Sequence, residues 1–298
     1  MIKVRVPATS ANMGPGFDSL GIAVSLYNYF GFEETCGGLS FSGFPEEFCN
    51  EDNIVYQSMK KCFERANYIP KGISISILEQ NVPIARGLGS SSSCIVGGLV
   101  GANEIMGGVF TKDELFQMAV EIEGHPDNVA PAMFGGMVVS IMDDGYSYHD
   151  KVNIKDGLKF VTIIPDFKLS TKEARGVLPK EISIKDGVYN VGRVALMVTA
   201  LTNGSQELLK FACKDAFHEK YRSKLINGFY EVKEEAYNIG ALATYLSGAG
   251  PTIMAIISEN ERNFKSNMKD FLSNRLLNWE VYELSIDTEG AFVIEGDV

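Results

Sequence analysis

The chain has 298 residues, 45% hydrophobic and 22% charged, so it can bury ordinary cores and lies outside the composition of disordered or fibrous chains. Its length fits about two domains. The formal net charge of −11 argues against nucleic acid or an anionic membrane as the general partner, and the five scattered cysteines, without a CxxC pair, make no disulfide framework.

The first residues, Met1-Ile2-Lys3-Val4-Arg5-Val6-Pro7, alternate as a strand does and lack the apolar core of a signal peptide. No run reaches the ~18 apolar residues of a membrane span, and a cytoplasmic protein is expected. Alternation predicts strands at 2–6, 22–32, 39–42, 73–78 and 136–142. Between them, 3.6-residue periodicity predicts helices at 54–67 and 91–106. A third helix opens on Thr111-Lys112-Asp113-Glu114, which has the spacing of a capping box, and runs to about Glu123; a short one covers 128–134.

Asp143-Asp144-Gly145 and the polar stretch up to Gly157 read as the crossing into a second unit, dividing the chain into 1–153 and 154–298. That unit is expected to hold a strand at 160–164, then helices at 183–201, 206–213 and 228–238. Strands at 241–246 and 252–257, a helix at 263–277 and closing strands at 281–285 and 291–294 complete it. Strands and helices mix without strict alternation, which predicts an α+β fold.

The most informative stretch is Pro83-Ile84-Ala85-Arg86-Gly87-Leu88-Gly89-Ser90-Ser91-Ser92-Ser93, which leads directly into the apolar run 94–100. Glycines let a backbone approach an anion closely, and the helix behind them adds unpaired N–H donors and the positive end of a dipole. Serine hydroxyls there can cap the helix, bond phosphate or bind Mg²⁺. The loop has neither the Lys of a Walker motif nor the third glycine of a dinucleotide fingerprint, where Ser92 stands.

Three further clusters carry chemistry. In Glu121-Ile122-Glu123-Gly124-His125-Pro126-Asp127-Asn128, Glu121 or Glu123 with the serine loop suits Mg²⁺, and Asp127 suits a hydroxyl proton or hydrogen bond. In the loop 9–21, Asn12 and Asp18 can present polar groups to a small molecule. Arg175, in Thr171-Lys172-Glu173-Ala174-Arg175, and Arg222, after Tyr221, have the planar forks that bind carboxylates. His125, His149 and His218 are too dispersed for a metal site, and no G-x-S-x-G elbow supports a hydrolase.

Taken in order, the loop at 12–21, the Pro83–Ser93 loop, the segment 121–131 and the turn Leu246-Ser247-Gly248-Ala249-Gly250-Pro251-Thr252 resemble the motifs of the GHMP kinases. Thr9-Ser10-Ala11-Asn12-Met13-Gly14-Pro15-Gly16-Phe17-Asp18, His125-Pro126-Asp127-Asn128-Val129-Ala130-Pro131 and the two arginine segments make the chain most similar to the branch acting on homoserine. The resemblance implies a nucleotide-binding N-terminal domain of the type found in a small-subunit ribosomal protein, a ferredoxin-like C-terminal domain that completes the substrate site, and a cleft between them. It implies MgATP-dependent phosphorylation of L-homoserine to O-phospho-L-homoserine, a step of threonine biosynthesis, with a homodimer as the expected assembly.

Carried onto this sequence, the resemblance places the triphosphate along Pro83 to Ser93 and Mg²⁺ on Ser91 and Glu121, with Glu123 as the alternative carboxylate. Asn53 matches a segment beside the adenine. Asn12, Asp18, His125, Asp127, Thr171, Arg175 and Arg222 would contact the amino acid, Asp18 with Asn12 at the ammonium, the two arginines at the carboxylate, and Asp127 at the hydroxyl. A GHMP kinase for another alcohol, such as mevalonate, and a catalytically silent sensor of the same fold are the rival readings.

Overall fold

Two long strands, rich in apolar residues at alternate positions, frame the first half of the molecule. The structure is a computed structural model and describes residues 1–294. In chain order the first unit is β1 (Ile2–Ala11), β2 (Leu20–Glu34), β3 (Gly38–Ser42), α1 (Ile54–Arg65), β4 (Gly72–Gln80), α2 (Ser90–Ile105), α3 (Lys112–Glu123), α4 (Pro126–Phe134), β5 (Met137–Asp143) and β6 (Tyr146–Val152). The second is β7 (Leu158–Ile164), α5 (Thr171–Gly176), α6 (Ile184–Asn203), α7 (Leu209–Ala212), α8 (Glu219–Arg222), α9 (Phe229–Asn238), β8 (Ala243–Leu246), β9 (Ile253–Ser258), α10 (Phe264–Asn274) and β10 (Glu280–Leu284), followed by β11 (Phe292–Ile294).

The first sheet has the order β11-β1-β2-β4-β3, with β5 paired to β2 and β6 to β5. Only β3 and β4 run parallel, joined across α1. α2 and α4 lie on β1 and β2, and the middle of α2, residues 95–102, is buried there. Gly97 and Gly101 let its backbone settle against the rings of Phe30 and Phe32. Each aliphatic side chain that α2 buries, Ile95, Val96 and Leu99 among them, contributes about 1.5–3 kcal/mol of transfer free energy.

The second sheet, β10-β7-β9-β8, is antiparallel throughout, with the strand order and β-α-β-β-α-β connections of a ferredoxin-like domain. Its strands alternate strictly. Phe160, Ile164, Tyr245 and Met254 face a core shared with Ala8, Leu20, Ile22 and Met137 of the first unit. Val161, Ile163, Ile253 and Ala255 face α9 and α10. The shared core fixes the two units against each other, and the cleft lies at its edge.

Several expectations change. The first strand continues past Pro7 to Ala11, because a bulge at Pro7/Ala8 absorbs the missing N–H donor. The polar stretch after Met142 is no linker: Tyr146–Val152 pairs with β5 as a hairpin, so the first sheet extends to Val152. The helix expected at 206–213 is a 3-10 turn, Gln206–Leu208, followed by four α residues. Phe292–Ile294 does not close the second unit, because it pairs with β1 and returns the chain to the first sheet. No helix among the described residues is long and apolar enough to cross a membrane.

Candidate active site

The loop between β4 and α2 takes a backbone that few residues allow. Ala85, Gly87 and Gly89 all have positive φ (55°, 78° and 67°), and Gly89 is the N-cap of α2. A Cβ at Gly89 would run into Thr9 Oγ1, and one at Gly87 into the carbonyls of Ser247 and Gly250. The loop is therefore gripped from both units. Thr9 N–H donates to the Leu88 carbonyl (3.2 Å), Leu169 N–H to Ala85 (3.0 Å), Thr252 N–H to Arg86 (3.2 Å) and Ser247 Oγ to Gly87 (2.5 Å). What remains is the open N-terminus of a buried helix, with its unpaired amides and positive dipole end.

Not every residue of the loop faces the cleft. Ile84, Ala85, Arg86, Gly87, Gly89, Ser90 and Ser91 line it, whereas Pro83, Leu88, Ser92 and Ser93 do not. Leu88 is core, and Ser93 Oγ accepts from Asn28 and donates to the Ser90 carbonyl. The Arg86 guanidinium is spent on the carbonyls of Pro165 (2.8 Å) and Asp166 (2.9 Å), which makes it a strut between the units. Asn53 lines the cleft but caps α1, accepting from Val55 and Tyr56 N–H and donating to the Phe48 carbonyl.

Ser91 Oγ and Ser92 Oγ both donate to Glu123 Oε1, at 2.9 and 3.0 Å. Hydroxyl and carboxylate oxygens beside a phosphate loop are the hard donors that suit Mg²⁺. Among the described residues no cluster of three or more His, Cys, Asp or Glu offers a metal cage, so such an ion would rely on phosphate oxygens and water for the rest of its shell. Glu121, the first choice from the sequence, is on another side of α3 and does not line the cleft. Its carboxylate binds Lys61 (2.7 Å) and Arg65 (3.1 Å) on α1, and the Lys61 hydrogen bond leads the effects that hold its pKa below the ordinary value. The geometry favours the alternative, Glu123.

α4 begins with His125 as its N-cap position and Pro126 at N1, which brings Asp127 into the first turn. Asp127 is buried, and its Oδ1 lies 2.6 Å from His125 Nδ1. Burial alone would lower the pKa of the His125 imidazole, but the hydrogen bond and charge of Asp127, with Glu123 nearby, outweigh it and raise the value. No described residue bonds Asp127 Oδ2.

Opposite stands the loop leaving β1. Asn12 is used within the protein: Nδ2 donates to the Gly248 carbonyl (2.9 Å) and Oδ1 accepts from Asp18 N–H (3.0 Å). Asp18, which that bond orients, forms a two-armed ion pair with Arg175 from α5. Arg222 on α8 is almost wholly buried yet lines the cleft, and no carboxylate pairs with it among the described residues. Burial, and then the charge of Arg175, push its pKa down to about 10. A buried cation of this kind is stabilised by an incoming anion. Thr171, the first residue of α5, completes the wall.

These groups share one cavity of about 400 Å³, within the range of small-molecule sites. Part of its wall is apolar, formed by Phe30, Phe44, Phe48, Ile54 and Ile77, of which only Ile54, next to Asn53, lay in a segment that the sequence pointed to. The one signal was Phe44-Pro45 with Phe48 directly ahead of Asn53 in a segment without periodicity. The cavity thus brings together apolar and aromatic side chains, an open helix N-terminus, hard oxygen donors, a buried carboxylate and a charged corner.

The pattern of the GHMP kinases N terminal domain matches residues 53–136, and that of the GHMP kinases C terminal domain matches 197–274. A homoserine kinase of Clostridium beijerinckii is 64% identical over 296 residues, 99% of each chain. One of Clostridium botulinum (strain Eklund 17B) is 61% identical over the full length of both chains. The crystal structure of a homoserine kinase from Cytophaga hutchinsonii superposes with a TM-score of 0.88 at 32% identity, covering 98% of this chain and 97% of that one.

Proposed function

Because the chain belongs to the GHMP kinase family, and within it to the homoserine kinases, we propose that this cleft transfers the γ-phosphoryl group of ATP to the hydroxyl of L-homoserine, giving O-phospho-L-homoserine and ADP. The observation that carries the reading is the charged corner, where Asp18, Arg175 and the unpaired, buried Arg222 stand beside Asp127 in the cavity that also holds the phosphate loop. A zwitterion with a terminal hydroxyl satisfies all four at once, its ammonium at Asp18, its carboxylate at the arginines and its hydroxyl at Asp127. A sugar would leave Arg222 buried and unpaired, and mevalonate, which carries no ammonium, would leave Asp18 with Arg175 as its one partner and free no arginine but Arg222 for its carboxylate.

The chemistry follows from this placement. The aromatic pocket receives the adenine, and the amides at the start of α2 hold the phosphates. Ser91 and Glu123 would hold Mg²⁺, which supplies charge neutralisation on the phosphate oxygens. The homoserine oxygen forms the new bond to the γ-phosphorus as the bond from that phosphorus to the β–γ bridging oxygen breaks; ADP leaves, and the hydroxyl proton departs late, to solvent. Transfer through a loose transition state needs alignment and neutralisation more than a strong base. Asp127 therefore orients the hydroxyl by accepting its hydrogen bond at Oδ2, while His125 fixes Oδ1. The reading also carries the cytoplasmic location and homodimer expected from the sequence and the step of threonine biosynthesis that the resemblance implies.

ADP release measured with a panel of L-homoserine, mevalonate and galactose tests it. Turnover with homoserine alone is the expected result. Turnover with mevalonate alone assigns a different GHMP activity, and binding of homoserine without ADP release assigns a sensor.

A further inference from the structure

Outside the groups assigned to ligands, His218 is a wholly buried histidine that touches both sides of the cleft. Its Nε2 lies 3.0 Å from the Gly14 carbonyl, in the loop that carries Asn12 and Asp18. Its Nδ1 lies 3.4 Å from Arg222 Nη1. A carbonyl only accepts and a guanidinium only donates, so both contacts are hydrogen bonds in one state alone, the neutral imidazole protonated at Nε2. Burial is the largest influence on the His218 pKa and, with the Arg222 charge, carries it below the ordinary value against the opposite pull of Asp215, whose Oδ2 lies 3.8 Å from Nε2, and of Glu219.

Arg222 has five N–H donors, and their accounting defines what His218 does. Nε donates to the Ala174 carbonyl (3.1 Å), and Nη1 donates to the Gly248 carbonyl (2.9 Å) and to His218 Nδ1. Nη2 has no hydrogen-bond partner among the described residues, and Arg222 is one of the residues that line the cavity. The ring of Phe17 stacks on His218 at 5.3 Å and lies 5.3 Å from the Arg222 guanidinium, closing the remaining side.

We infer that His218 is a positioning residue: its bare Nδ1 locks the rotation of the Arg222 guanidinium so that Nη2 meets the substrate carboxylate, and its Nε2–H ties that lock to the substrate loop at Gly14. The inference rests on the proposed homoserine reading, in which Arg222 takes the carboxylate. An unrestrained arginine side chain loses rotamer freedom on binding, and the His218 bond, added to those with the Ala174 and Gly248 carbonyls, removes that cost before substrate arrives. The position does not touch substrate, ATP or the reacting atoms.

Three variants read the lock against a merely structural role. His218→Leu should raise the KM for homoserine roughly tenfold, the loss of one hydrogen bond to a charged group, with kcat and the KM for ATP within about twofold. His218→Asn, whose Oδ1 can stand where Nδ1 stands, should return the homoserine KM to within about threefold of the parent, while His218→Gln, which reaches Gly14 instead, should not. In histidine ¹⁵N spectra of the intact protein, the signals lost in these variants should be those of a ring protonated at Nε2 and bare at Nδ1. An unchanged homoserine KM in His218→Leu, a parallel rise in both KM values, or a ring protonated at Nδ1 overturns the inference. A parent enzyme inactive on homoserine overturns the substrate reading instead, and the tautomer then decides the lock alone.

Discussion

Arg175 holds Asp18 with both arms of its guanidinium, Nη2 to Oδ1 at 2.8 Å and Nη1 to Oδ2 at 3.1 Å, across the mouth of the cleft. This corner is thus paired with itself, and under the proposed function a zwitterion would enter by exchange, its ammonium replacing Arg175 at Asp18 and its carboxylate replacing Asp18 at Arg175. Both side chains are more than a third exposed (37% and 35%), so the pair adds only about 0–1 kcal/mol to folding.

Asp18→Asn should therefore separate binding from stability. The homoserine KM rises about ten- to hundredfold, the cost of about 1.5–3 kcal/mol for a charge-assisted bond, while the melting temperature moves by less than about 4 °C. Steady-state kinetics with a thermal melt check it. A fallen melting temperature with an unchanged KM would make the pair structural.

The two carboxylates of α3 should behave differently in a Mg²⁺ titration of activity. Glu123→Gln keeps an oxygen that Ser91 and Ser92 can donate to but removes the negative charge beside the phosphate loop, and should raise the midpoint at least about tenfold. Glu121→Gln breaks only exposed pairs with Lys61 and Arg65 and should leave the midpoint in place. The reverse ranking would return the metal to Glu121.

His125 has a raised pKa in the folded protein because Asp127 favours its charged form over the cost of burial. A group raised on folding adds stability in full below its unfolded pKa of about 6.5, and that stability is lost as pH climbs through the raised folded value. The melting-temperature gap between the parent and His125→Gln should accordingly be widest near pH 5.5 and shrink by pH 8.5. A gap that widens with pH would mean that His125 is held neutral.

Much of this was legible in the sequence because local chemistry decided it. The capping box at Thr111 and Glu114 set the start of α3, and Gly87 and Gly89 marked a loop that no other residues could form. Asn12, Asp18, His125, Asp127, Thr171, Arg175 and Arg222, which the resemblance proposed as substrate contacts, all line one cavity. What stayed hidden depends on direction and on distant partners. Glu121 and Glu123 are two residues apart, so a helix turns them to different sides, and only the positions of Lys61 and Ser91 show which side is which. Arg86 looked like a phosphate ligand until Pro165 and Asp166 arrived from the second unit. The hairpin partner of β5 was masked by polar residues, because Tyr146–Val152 is an edge strand that buries little.

The central claim is phosphoryl transfer to a homoserine hydroxyl that Asp127 orients, and kinetics of Asp127→Asn across pH test it most directly. General-base loss is typically worth ~10²–10⁴ in rate. If Asp127 orients, the variant keeps measurable turnover with homoserine, its homoserine KM rises, and its pH–rate profile has the shape of the parent's. A turnover loss beyond about 10⁴-fold, with homoserine binding unchanged and a limb of the pH profile gone, would contradict the account.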